Sequence, residues 1–272
     1  MREPLLLFAL LAFAPLLVAQ DFAVKQLDTS PRHHEWVEIP AKSRVIRSFV
    51  AYPQKKENAQ TVLVIHENRG LTDWVRSFAD QMAAEGYLAI APDLLSGFDE
   101  KHRHTGEFKT SDAARSAIYE LDPTQVIEDL RAVQRYVTKI PSASGEIVVI
   151  GFCWGGSQAF RLASFAPNVS ATLVFYGSPP TDGERIRAIS APVHGFYGEN
   201  DQRINATIPE TQKRMKAHGK TYEIEVYKGA GHAFMRNGND PNGPAADRKA
   251  REAAWDRMRR ILSRIAQDIP AH

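Results

Sequence analysis

A single cysteine, Cys153, stands in the whole chain of 272 residues. No disulfide can form within the chain, so its core rests on burial alone. Long apolar runs are equally scarce. The longest, residues 5–18, is broken by Pro15 and falls short of the roughly 20 residues that a membrane-spanning helix needs. Preceded by Arg2 and followed by the small Ala19, this run has the pattern of a secretory signal peptide over residues 1–19. It predicts an exported protein, periplasmic or secreted, with no stable membrane insertion after cleavage. A surplus of one charge is missing too. The 34 Lys and Arg set against 32 Asp and Glu leave a formal charge of +2, which argues against nucleic acid as the main partner. Adjacent His33, His34 and Glu35 lack a second ligand cluster at matching spacing, and sequence neighbours point in different directions. No metal and no cofactor is implied.

What is there reads as strands alternating with helices. Residues 45–52 alternate weakly, as an antiparallel edge strand does. Residues 61–65, 87–91, 147–151, 171–176 and 193–197 are short apolar runs of the kind a parallel sheet covered on both faces requires, and 222–227 is a further strand. Helices are expected over 72–85, 123–139, 155–165, 208–218 and 245–265. Val126, Leu130, Val133 and Val137 make one apolar stripe, and Trp255, Met258, Leu262 and Ile265 another, with the arginines of the last helix on a solvated face. The fold class is therefore α/β: a doubly wound, mostly parallel sheet with helices on both faces, forming one domain over 45–268 after a polar lead-in at 20–44. Residues 94–121 are polar and irregular, long enough to cap a site, with His102 and His104 facing solvent.

Three strand ends carry chemistry. Gly151-x-Cys153-x-Gly155 follows an apolar strand and opens a helix, which is the nucleophile-elbow pattern with Cys in place of the commoner Ser. A helix N-terminus favours a thiolate and can bind an oxyanion. The plainer reading makes the turn a tight connection and Cys153 a small buried hydrophobe. An unpaired thiol in an exported protein is a liability unless buried or used, and its place at the elbow favours use. Beyond the elbow come Asp201, in an acidic turn with Glu199 as second candidate, and then His232 in a loop after Gly229 and Gly231. Nucleophile, acid, histidine is the order of the α/β-hydrolase fold. A thiol must lose a proton to attack a carbonyl, an imidazole can take it near neutral pH, and a carboxylate holds the imidazole in the useful tautomer. An earlier strand end, His66-Glu67-Asn68-Arg69-Gly70, is either the lip of the same site or a solvated turn.

With these residues in place, the chain resembles the dienelactone hydrolase family over roughly residues 45–265. The resemblance rests on Gly-x-Cys-x-Gly-Gly at 151–156, a Glu at the end of an earlier strand, an Asp, and Gly-His-x-Phe at 231–234. It implies a hydrolase of carboxylic esters or lactones working through an acyl-cysteine, with small molecules as partners. By that resemblance Glu67 approaches Cys153 and activates it, the backbone N–H groups of Trp154 and Asn68 form the oxyanion hole, and Arg236 binds a substrate carboxylate. The family's second arginine, after the Pro-Asp strand end, is absent from Pro92-Asp93-Leu94-Leu95-Ser96-Gly97. Arg69 either takes its place or pairs with a surface acid. The alternatives are a catalytically silent binding protein on the same fold, or thioesterase or peptidase-like use of the same triad.

Overall fold

Alternation within the apolar strands decides the architecture. In the run 61–65 all five side chains are buried, yet Val62 and Val64 belong to one core layer and Leu63 and Ile65 to another. Successive residues face opposite sides of a strand, so both faces must be covered. The computed structural model describes residues 21–54, 57–180 and 182–267; the expected signal peptide lies outside them.

The strands are β1 (His34–Pro40), β2 (Val45–Ala51), β3 (Ala59–Ile65), β4 (Leu88–Pro92), β5 (Ala143–Phe152), β6 (Val169–Phe175), β7 (Val193–Gly198) and β8 (Tyr222–Tyr227). They form one sheet in the order β1-β2-β4-β3-β5-β6-β7-β8. The pairs β1/β2 and β2/β4 are antiparallel and the rest parallel. The helices are α1 (Asp21–Asp28), α2 (Asp73–Ala84), α3 (Ser111–Glu120), α4 (Pro123–Val137), α5 (Trp154–Leu162), α6 (Gly183–Arg187), α7 (Gln202–Asn205), α8 (Ile208–Ala217), α9 (Phe234–Asn237) and α10 (Ala245–Gln267). One face of the sheet is covered by α1, α2 and α10, where Phe152 meets Phe78 edge-on at 4.7 Å and Trp74 at 5.0 Å. On the other lie α4, α5, α6 and α8. All four residues of the α4 stripe are buried. Asp122 caps that helix, accepting from the Thr124 amide at 2.6 Å, the usual device for its unpaired first N–H groups.

Three expectations need correction. The lead-in at 20–44 is not featureless: it holds α1 and β1, and β1 rather than β2 is the edge strand. Its sequence hid this because β1 buries only Val37 and Ile39, while α1 buries only Ala23. The segment 94–121 contains a single 3-10 turn, Thr105–Glu107, and the helix α3. And one arginine of α10 leaves the solvated face: Arg257 is buried over the Phe196 ring at 4.2 Å and donates to the Gly195 and Glu223 carbonyls at 2.6 and 3.0 Å.

Candidate active site

The parallel strands all end at one edge of the sheet, so residues far apart in sequence converge there. Cys153 directly follows β5 with φ 55° and ψ −117°, a backbone conformation that non-glycine residues seldom adopt. Two glycines permit it. A side chain at Gly151 would place its Cβ 2.1 Å from the Gly155 carbonyl oxygen, and one at Gly155 would sit 2.2 Å from the carbonyl oxygen of His66. Strand, helix and the neighbouring β3 turn thus touch through bare backbone. Tyr176 at φ 42° and Ala233 at φ 62° are likewise left-handed, one following β6 and the other directly after His232.

His232 Nε2 lies 3.1 Å from Cys153 Sγ, and its Nδ1 lies 2.5 Å from Asp201 Oδ2. Asp201 is buried. Burial alone would push the imidazole pKa down, but the hydrogen bonds to Asp201 and Cys153 and their charges outweigh it and raise it to about 9. Glu199, the other acid considered, is turned away: its carboxylate accepts from the Gly229 amide at 2.8 Å and fixes the loop that carries His232. The ring of Tyr176 meets His232 edge-on at 5.0 Å.

The β3 turn is a site lip and not a solvated loop, for His66 and Glu67 are buried. His66 stacks on Trp154 at 5.5 Å, and its ring nitrogens bond the Glu67 carbonyl at 2.7 Å and the Leu94 amide at 3.1 Å. That fixes the backbone on which Asn68 sits. Neither the Asn68 amide nor the Trp154 amide has an acceptor among the described residues. The Asn68 side chain donates to Tyr119 of α3 at 3.2 Å, and Trp154 packs against the cluster of Leu95, Ala114, Ala117 and Ile118. Residues 94–121 therefore do lie beside the site.

Glu67 departs from the expectation of an approach to Cys153. Its carboxylate accepts from Arg236 Nε at 2.7 Å and from the Tyr176 hydroxyl at 3.4 Å. The Glu67 charge, ahead of the opposing effect of burial, raises the Arg236 pKa. The Nη groups of Arg236 have no acceptor among the described residues, and Arg236 lines a cleft of about 520 Å³ that Arg69 also lines. Among the described residues Arg69 has no acid within ion-pair distance, which speaks against the surface-pair reading. Sequence reasoning missed three residues here: Tyr176, Trp36 and Arg47. Only their strand-end and strand positions could have flagged them, and Trp36 lay in a segment read without structure. His104, expected to face solvent, lines the same cleft.

Residues 46–266 match the dienelactone hydrolase family. The chain belongs to this family. A protein of Saccharolobus solfataricus, named as a candidate carboxymethylenebutenolidase, is 30% identical over 259 residues, 82% of this chain and 95% of that one. A Bradyrhizobium protein, named as a candidate 2-oxo-3-(5-oxofuran-2-ylidene)propanoate lactonase, is 26% identical and covers 82% of this chain and 90% of its own length. Among solved structures, a candidate dienelactone hydrolase from Klebsiella pneumoniae superposes with a TM-score of 0.75 at 25% identity, over 87% of this chain and 99% of that one. An acylaminoacyl peptidase from Pyrococcus horikoshii, at 13% identity and a TM-score of 0.62 over 84% of this chain and 42% of that one, shares the fold alone. The eight-stranded sheet is that of the α/β-hydrolase fold, and the dienelactone hydrolase family is a family of hydrolases.

Proposed function

We propose that this dienelactone hydrolase family member cleaves carboxylic esters or lactones that bear a carboxylate, through an acyl-cysteine. The observation that carries this reading is the unbroken line of contacts from Cys153 Sγ through both ring nitrogens of His232 to Asp201, at 3.1 and 2.5 Å. His232 Nε2 holds the proton given up by the thiol, as its raised pKa favours, while Sγ bonds to the substrate carbonyl carbon. Charge then develops on the carbonyl oxygen, and the free amides of Trp154 and Asn68 are the donors for it. Collapse of the adduct expels the alkoxide, which takes the proton from His232, and leaves the acyl group on sulfur. Water attacks the thioester with His232 as base, releasing the acid and restoring the thiol. Asp201 holds the imidazole with Nε2 towards sulfur throughout.

Arg236 is the binding group for the substrate carboxylate. It already carries one carboxylate, that of Glu67, so a substrate competes with Glu67 for the guanidinium. Glu67 is then freed beside the site, which gives it the priming role expected of it. The N-terminal segment supports export of the protein, to be checked by cell fractionation.

The test is hydrolysis of an aryl acetate and of a carboxylate-bearing dienelactone by the wild type and by Cys153→Ala. Loss of one triad member is expected to cost at least about a thousandfold in kcat/KM. Arg236→Gln should raise KM for the dienelactone far more than for the acetate. Cys153→Ala as active as wild type would sink the acyl-cysteine reading.

A further inference from the structure

The cleft beside Arg236 is more basic than recognition of one carboxylate requires. Arg47, Arg69, Arg76 and Arg236 line it, against Asp73 and Asp93. Both acids are already committed. Asp73 is paired with Arg76, and Asp93 accepts from the Thr105 amide and hydroxyl, each at 2.7 Å, and from the Leu95 amide at 3.0 Å. Glu67 occupies only the Nε side of Arg236. Arg47 and Arg69 remain without a carboxylate within ion-pair distance among the described residues.

Arg47 is also held in place. Glu38 stands directly opposite it across the β1/β2 pair, yet the Arg47 guanidinium turns instead on to the face of Trp36, 4.0 Å from the ring centroid. The Arg76 guanidinium lies 5.7 Å from the same ring. Trp36 is 41% exposed, unusual for so large an apolar ring. It gives Arg47 a rigid seat and leaves the guanidinium edge, with its N–H donors, free for a ligand. The β2 backbone beneath is fixed to the strand end near the site, because the Asp93 amide donates to the Arg47 carbonyl at 2.8 Å. Two unneutralised forks thus flank one cavity that Arg236 also lines.

We infer that this cleft is a second oxyanion subsite, formed by Arg47 and Arg69 with Trp36 as the positioning residue for Arg47. The substrate it selects is an ester or lactone with two anionic groups, one for Arg236 and one for Arg47 and Arg69. The inference rests on the hydrolytic reading for turnover but not for binding.

Binding is measured by calorimetric titration of the full chain with tricarballylate, which has one carboxylate more than glutarate. Turnover is measured on the para-nitrophenyl monoesters of the same two acids. Each of Arg47→Gln and Arg69→Gln is expected to weaken tricarballylate binding about tenfold, and the double variant about a hundredfold, as for loss of a charge-assisted pair. The ratio of kcat/KM for the tricarballylate ester over the glutarate ester should fall in parallel, through KM. Trp36→Leu should give a smaller loss of the same kind, about threefold, since a cation–π seat contributes less than an ion pair. A guanidinium fork accepts carboxylate and phosphate alike, so phosphonosuccinate is titrated beside tricarballylate, and the tighter ligand names the second group. A wild type that binds tricarballylate no better than glutarate, or a double variant that keeps the difference, overturns the subsite. If tricarballylate binding falls as expected but no ester is cleaved, the subsite stands and the acyl-cysteine reading fails. If esters are cleaved without dependence on Arg47 and Arg69, the reverse holds.

Discussion

At the scale of single residues, the site rests on backbone packed against backbone. Gly155 shows the consequence best, because an added Cβ there would lie 2.2 Å from the His66 carbonyl oxygen and 2.4 Å from that of Ile65. Neither atom is the end of a flexible side chain, so the strand end itself would have to move. Gly155→Ala is expected to destabilise the fold by about 3 kcal/mol, the upper part of the usual range for overpacking, read as a lower urea midpoint at unchanged m-value. Activity should drop further than stability, since the displaced strand carries Glu67 and Asn68. An unchanged midpoint would mean the elbow is looser than its contacts. The requirement for glycine at 151 and 155 was legible in the sequence, as was the meeting of Cys153, Asp201 and His232. The partner of Glu67 was not. Arg236 lies 169 positions away in sequence, and no local pattern says whether an arginine four residues past a histidine will face a substrate or a neighbouring acid.

Among elements, legibility followed burial. Strands β3, β4, β6 and β7, and β5 from Ile147 on, bury nearly every side chain and so announce themselves as apolar runs. The N-terminal elements do not, because polar contacts hold them. Asp80 of α2 is fully buried and accepts from Ser30 at 2.6 Å, from Arg32 at 2.6 and 2.7 Å, and contacts His34 Nε2 at 2.8 Å. Burial would raise its pKa, but the bonds from Arg32, Ser30 and His34 outweigh it and hold the carboxyl below its usual range. One carboxylate therefore ties the chain before β1 to the helix beneath. Asp80→Ala is expected to cost about 3 kcal/mol, since it leaves partly buried charge unpaired. Amide exchange should accelerate first in α1 and β1. Uniform acceleration across the sheet would show instead that these elements are part of the global folding unit. Residues 94–121 escaped the sequence for a similar reason. Asp93 grips Thr105, and Arg44 of the β1–β2 turn donates to the Leu94 and Ser96 carbonyls at 3.1 and 2.9 Å, long-range bonds with no periodicity to reveal them.

Over the whole molecule, the sheet order puts β3, β5, β6 and β7 side by side, so Glu67, Cys153, Tyr176 and Asp201 leave adjacent strands at one edge, with His232 reaching back from beyond β8. The same convergence couples the site to global stability. His232 has its pKa raised from 6.5 to about 9 in the folded chain, so across that interval the native state holds a proton the unfolded state has lost. Stability from this group is complete below pH 6.5, declines as pH rises, and is gone once pH has passed about 9. The expected observation is a fall in unfolding free energy from pH 6.5 to above 9 in the wild type, and its absence in His232→Asn, measured by urea titration at constant ionic strength. Asp80 acts at the other end of the scale: its depressed pKa contributes stability that is lost only in acid, and both proteins keep it. Their curves should thus run parallel below pH 5, with the wild type higher, and differ in slope only above 6.5, where the wild type loses its advantage. Parallel curves throughout would mean that His232 gains no proton affinity on folding, and that its contacts with Asp201 and Cys153 are weaker in solution than their distances imply.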